Sequence, residues 1–394
     1  MAISKLQPSV LWTPTAALSA VQGAFTLSWV IYAVHLPALL APTRLTAAFA
    51  PTLLLIDALL AIVLEPVMGH FADRLEKTNR RFSLIWLGIG LSAALFVLLA
   101  LLPGTAFVEL IPGLLILWAI AMSLFRAPAL SLLRQYAPTE NLPQAATLIT
   151  LAAGLAGVAR PWATPLIQNL GVSVTFILST IVLIAAAAAL SANHHTNHAP
   201  SLPSSSRSSF PDLFPRLGLI AALGVGVTLA FRLAIETFPK VLKAALPQIQ
   251  PPSIVGWIFI AIAVTAIPAG LLAARIGNRR TMAIGLVAMA VGLAGMSLVG
   301  NEPTAIVWAW AFGAAFSLVS NGTLPFALAL IPPGAAGLSV GAFFGGVSIA
   351  TSLFLAFSSS FTALPVAITV GLMAIVLAAV CLVFSQRSGR AEVV

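Results

Sequence analysis

The sequence predicts an all-α integral membrane protein with twelve transmembrane helices in two pseudo-symmetric six-helix halves. Three observations carry this expectation. Hydrophobic residues make up 60% of the 394 residues and charged residues only 7%, too little polar surface to cover a soluble protein of this size. The apolar residues fall into twelve runs near the length of about 20 that a bilayer core requires. The cationic residues are dealt out among the short connections between those runs, as the positive-inside rule demands.

In chain order the first six runs lie near 14–38, 46–69, 82–102, 111–133, 143–168 and 172–190. The second six lie near 216–238, 253–273, 281–300, 304–330, 337–360 and 364–384. Pro and Gly recur inside them, which membrane helices tolerate because neighbouring helices satisfy the freed backbone groups. Between the two sets runs SANHHTNHAPSLPSSSRSSFPD, 191–212, a Ser-, Pro- and His-rich stretch without apolar periodicity. It divides the chain into an N-terminal half, 1–190, a linker, 191–215, and a C-terminal half, 216–394. Its three histidines read as part of a solvated loop before they read as metal ligands. The opening MAISKLQPSVLWTPT lacks the apolar core and cleavage site of a signal peptide, so the first run is expected to remain as a helix.

The net charge of +9 does not point to nucleic acid, because the basic residues form no single tract or face. With the N-terminus in the cytoplasm, thirteen of the nineteen Lys and Arg residues fall on cytoplasmic segments. Three, Arg44, Lys240 and Lys243, fall outside, and three, Arg126, Arg160 and Arg232, fall inside apolar runs. The asymmetry places both termini and the linker in the cytoplasm. The single cysteine, Cys381, lies in the last run and excludes an intramolecular disulfide or a zinc cluster.

The most charged stretch is GHFADRLEKTNRR, 69–81, between the second and third runs. A second loop, between the eighth and ninth runs, echoes it: IPAGLLAARIGNRRTM against EPVMGHFADRLEKTNRRFS. Pro268 and Gly270 parallel Pro66 and Gly69, Arg275 follows its glycine at the same distance as Arg74, and Asn-Arg-Arg closes both loops. Such a repeat is what a transporter built from two similar halves shows. Gly69 lets two helix ends approach closely. Asp73 can accept from an arginine or sit at a neighbouring helix N-terminus. Arg80 and Arg81 fit a plain topological anchor, whereas an acid adds nothing to such an anchor.

These loops resemble those of the major facilitator superfamily, whose signature between the second and third helices is Gly-x-x-x-Asp-Arg followed by a glycine and a basic pair. Gly69, Asp73, Arg74, Arg80 and Arg81 fill it; Asn79 stands where the loop glycine is usual, and the loop is longer. In the second copy Gly270, Arg275, Arg279 and Arg280 recur, but Ala274 replaces the acid. EPVMGHFADR and FRAPALSLLRQ look like the sucrose-transporter and glycoside–cation symporter branches. The resemblance implies that this loop is a gating latch and that transport proceeds by alternating access.

Ionisable groups inside apolar runs are functional candidates by default. Asp57 lies twelve residues from Gly69, about 18 Å along a helix and near the midplane. It is the first candidate for a proton carrier, with a static pair to an arginine of the fourth helix as the alternative. Glu65 precedes Pro66; in the cation symporters that it resembles, an acid at this place belongs to the cation site, which keeps sodium open beside the proton. Arg126 and Arg160 are candidates for holding a substrate carboxylate or hydroxyls, or for pairing with Asp57 or Glu65. Arg232 and Glu236 are four apart, share a helix face and can pair as an outer gate or a surface pair. Gln22, Trp29, Tyr32 and Asn321 are candidates for lining a cavity, while Trp257, Trp308 and Trp310 read as interfacial anchors.

The expected function is therefore secondary active transport of a small polar solute, sugar-like or a small organic anion, driven by protons. No phosphate-binding loop, nucleophile–base pair or metal spacing is visible, so no enzyme activity, cofactor or metal is expected. The expected partners are the solute, the proton or sodium, and the lipid bilayer, with the protein a monomer. The alternatives are a drug or metabolite exporter and a non-transporting assembly or pigment-delivery factor on the same fold.

Overall fold

The computed structural model describes residues 10–76, 78, 80–194 and 210–390, and these are almost wholly helical. The N-terminal half contains α1 (Trp12–Leu40), α2 (Ala50–Glu76), α3 (Arg81–Leu101), α4 (Ile111–Leu130), the short α5 (Leu133–Tyr136), α6 (Leu142–Gly157) and α7 (Ala159–His194). The C-terminal half contains α8 (Phe210–Ala245), α9 (Pro251–Ile276), α10 (Asn278–Gly295), α11 (Glu302–Leu330), α12 (Ala336–Ala356) and α13 (Leu364–Arg390). Most of the expected linker lies outside the described residues.

Among the described residues, eleven helices are long and apolar enough to cross a membrane. The twelfth crossing is the fifth predicted run, which the structure breaks in two. Pro161 has no N–H to offer the carbonyl of Gly157, and the helix interrupts at Val158 between α6 and α7. The fifth crossing continues into the start of α7 and ends at Gly171, whose φ of 79° turns the chain. The rest of α7 is the sixth crossing. Gly277, with φ 92°, makes another sharp turn, between α9 and α10.

Within each half the helices pack in matching patterns: α1 against α6 and α7, α3 against α4 and α7, then α8 against α12 and α13, and α10 against α11 and α13. Leu87, Val291, Val307 and Val376 are exposed on outward faces, where lipid replaces water as solvent. Two antiparallel seams join the halves: α2 against α12, and α6 with the start of α7 against α9. Glycines set the closeness of both. A Cβ at Gly69 would overlap the Gly337 carbonyl, and one at Gly341 would overlap the Glu65 carbonyl. On the second seam a Cβ at Gly154 would meet the Ala263 backbone at 2.9 Å.

Candidate functional site

Asp57 is buried in α2, 4% exposed, and faces α1. The Tyr32 hydroxyl donates to its Oδ2 at 2.5 Å. Its Oδ1 has no partner among the described residues and no cation pairs with it there. Aromatic rings hold the tyrosine: it stacks on Trp118 at 4.7 Å, Trp118 stacks on Phe96 at 4.4 Å, and Trp29 meets Tyr32 edge-on at 5.3 Å. The static pair between Asp57 and an arginine of the fourth helix is thus replaced by a neutral phenol.

The arginine of α4 pairs instead with the second acid. Arg126 Nη1 lies 3.7 Å from Glu65 Oε1, and Glu65 is 2% exposed. The guanidinium is sandwiched between two rings, its Cζ 3.5 Å from the Phe344 centroid and 4.7 Å from that of Phe25. Glu65 Oε2 and Arg126 Nε are buried without partners among the described residues. Beside the guanidinium remains a void of about 10 Å³, lined by Val21, Gln22, Phe25, Phe125, Ala129 and Leu130. That is room for no more than about one water. Gln22, the sequence candidate at this void, donates to Thr26 Oγ1 at 3.2 Å.

At the end of the bundle that carries residues 69–81, here the loop end, one carboxylate joins the halves. Asp73 accepts from the backbone N–H of Gly337 at 2.7 Å and of Leu338 at 2.8 Å, the first turn of α12. Both readings of Asp73 are met: it sits at a helix N-terminus, where free N–H groups and the macrodipole favour an anion, and an arginine stands beside it. Arg81 supports it from 3.7 Å and also pairs with Glu76, which accepts from Gln135 Nε2 at 2.5 Å. Arg81 is therefore buried inside the cluster and is not a plain anchor; Arg80 is exposed and keeps that reading, and Arg74 is exposed as well. Arg134 completes the clasp by donating to the Leu328 and Ile331 carbonyls at the end of α11, and Arg216 donates to Leu330 O at 3.4 Å.

The second copy of the motif does not clasp. Ala274, Arg275 and Arg280 are exposed, and Arg279 reaches Ser385 O at 3.4 Å within its own half. Gly270 packs against Thr147 and the Pro143 carbonyl across the seam. At the opposite end, Arg160 pairs with Glu236 at 3.5 Å, joining α7 to α8. This corrects two expectations: Arg160 reaches neither Asp57 nor Glu65, and Glu236 does not pair with Arg232. The Arg232 guanidinium stands 6.0 Å from the Phe354 ring and forms no ion pair among the described residues. Asn321 donates to the Ala266 carbonyl at 2.5 Å and is fully buried, so it ties α11 to α9. Trp308 is anchored inward, donating to Gly292 O at 2.7 Å.

Sequence reasoning missed Phe25, Phe344, Trp118, Glu76 and Gln135. Glu76 stood in the charged loop, and the Gly spacing around Phe344 in GLSVGAFFGG marked a close helix face. Phe25 and Trp118 carried no separate signal in an apolar run. Among the described residues no cluster of three or more His, Cys, Asp or Glu could hold a metal ion; His195 and His198 of the linker lie outside them.

Twelve crossings in two halves, clasped at one end through helix termini, define a membrane protein with the architecture of the two-half transporters. The chain belongs to the Major Facilitator Superfamily, whose family model matches residues 18–245. Among solved structures it is similar to the Major Facilitator Superfamily transporter FucP in the outward conformation, with a TM-score of 0.70 at 14% identity, covering 94% of this chain and 98% of that one. A variant of the E. coli fucose:proton symporter FucP gives a TM-score of 0.69 at 15% identity, covering 95% and 98%. At these identities the likeness shows the fold. No curated protein matches the chain.

Proposed function

We propose that this protein is a secondary active transporter that moves a small polar solute by alternating access, driven by protons, with the loop end and both termini in the cytoplasm. The observation that carries the coupling is the environment of Asp57. It is a buried acid at mid-depth whose partner is a neutral hydroxyl. A lone carboxylate there bears the full cost of a buried charge, and binding a proton removes that cost. Glu65, by contrast, has a counter-charge in Arg126. The two acids divide the work: Asp57 takes and gives the proton, and the Glu65–Arg126 pair responds to the anionic or hydroxyl groups of the solute. The similar FucP is a fucose:proton symporter, which accords with a solute of this class and with the proton. The basic residues gathered at the loop end support the cytoplasmic orientation.

The test is reconstitution into proteoliposomes loaded with a pH dye and offered a panel of hexoses, pentoses and short carboxylates. Addition of a transported solute acidifies the lumen, which the dye reports, and a compound that is not carried leaves the signal unchanged. Asp57→Asn keeps size and hydrogen bonding but cannot ionise. It is expected to abolish accumulation under an imposed pH gradient while exchange down a solute gradient persists. Full accumulation by the Asn variant would remove Asp57 from the coupling role.

A further inference from the structure

Four residues of α12, Gly337, Gly341, Phe344 and Gly345, recur at helical spacing and share one face. That face lies on α2: Gly337 on Gly69 and Asp73, Gly341 on Glu65 and Pro66, Gly345 on Pro66 and Ile62. Three of the four positions are glycines that bring the backbones together. The fourth carries a ring, and the ring lies on the Arg126 guanidinium at 3.5 Å. Phe25, on the other side of that guanidinium, belongs to the same half as Arg126 and Glu65; Phe344 belongs to the opposite half. Phe344 stands about two turns from the α12 N-terminus that Asp73 grips.

We propose that Phe344 is a state-dependent lid on the Glu65–Arg126 pair. While Asp73 holds α12, the ring covers one face of the guanidinium, and the void of about 10 Å³ that remains beside Phe25 is too small for solute. When the grip on α12 is released, Phe344 leaves with the C-terminal half, Phe25 stays, and the pair opens to the solvent of that end alone. The same movement thus frees the latch and uncovers the charges, which couples access to the site with the conformational change. The lid serves the transport reading, but its test needs neither solute nor gradient.

The experiment places one thiol in the void, Ala129→Cys in a Cys381→Ser background, and measures its reaction rate with a charged methanethiosulfonate reagent in nanodiscs. Phe344→Ala is expected to raise the rate about tenfold or more, since a desolvated ring–cation contact between the halves is lost. Phe344→Leu, which keeps the bulk, raises it less. Asp73→Asn raises it with Phe344 intact, and adding Phe344→Ala to Asp73→Asn gives little further gain. A melting curve of each variant confirms folding; should Phe344→Ala not fold, the ordering of Asp73→Asn above Phe344→Leu above the parent carries the test. An unchanged rate in both the Phe344 and Asp73 variants, or independent multiplicative effects of the two, overturns the lid. If labelling behaves as expected but the proteoliposomes show no solute-dependent flux, the lid stands and the transport reading fails.

Discussion

Asp57 and Glu65 stand eight residues apart on α2, which turns them about 80° from one another around the helix axis. One consequently meets Tyr32 on α1 and the other Arg126 on α4. The sequence made both acids and the arginine visible, because ionisable groups interrupt apolar runs. It did not show the pairing, because counting residues from Gly69 gives depth in the bilayer and not direction around a helix. The pair makes a thermodynamic prediction. Removing one member leaves the other buried and unpaired, at a cost of about 3–5 kcal/mol. Glu65→Gln and Arg126→Gln should therefore each lower the melting temperature, and Glu65→Gln with Arg126→Gln should lower it by less than the two separate losses added together. Additive losses in a thermal unfolding series would show that the 3.7 Å contact carries no coupling.

At the scale of the helix, the clasp works through helix ends. Asp73 occupies the N-terminus of α12 while Arg134 and Arg216 occupy the C-terminus of α11, so both charges complement the macrodipoles of the helices they touch. Gly69 and Asp73 marked this loop as a latch through the family resemblance; the residues by themselves offered Asp73 a helix N-terminus or an arginine. The burial of Arg81 was not legible, because a rule that counts basic residues near membrane ends treats Arg80 and Arg81 alike and carries no direction for a side chain. The break at Val158 lies where Pro161 in GLAGVARPWATP frees the Gly157 carbonyl, so a bend there was legible in the residues, although the run did not show that two separate helices result. Asp73→Asn keeps one acceptor oxygen where two accept now. Asp73→Asn and Arg81→Gln are both expected to weaken the latch strongly, and Arg80→Gln to leave transport near the parent level. The check is initial uptake at equal surface expression; a loss for Arg80→Gln equal to that for Arg81→Gln would return the loop to the role of an anchor.

Over the whole molecule, the two seams meet different fates at their two ends. The latch fastens α2 to α12 at the loop end, whereas the seam of α6, α7 and α9 is packed along its length, from Thr147 against Gly270 to Trp162 against Gly256. At the far end Trp162 Nε1 donates to Ser253 O at 3.3 Å, and the Arg160–Glu236 pair lies nearby. A Cβ at Gly256 would overlap the Trp162 indole, so Gly256→Ala must displace the ring and loosen that end. Alternating access requires the two ends to be held by opposing contacts, and weakening either one shifts the population toward the state in which that end is apart. Spin labels at Glu140 and Arg275 report the loop end, and labels at Leu166 and Gln248 report the far end; all four positions are exposed. Gly256→Ala is expected to lengthen the far-end distance and leave the loop-end distance short. Asp73→Asn is expected to do the reverse, and the double variant to return both distributions toward the parent, because the two perturbations bias one equilibrium in opposite directions. If each variant lengthened both distances, the substitutions would be loosening the bundle as a whole and not selecting between its two states.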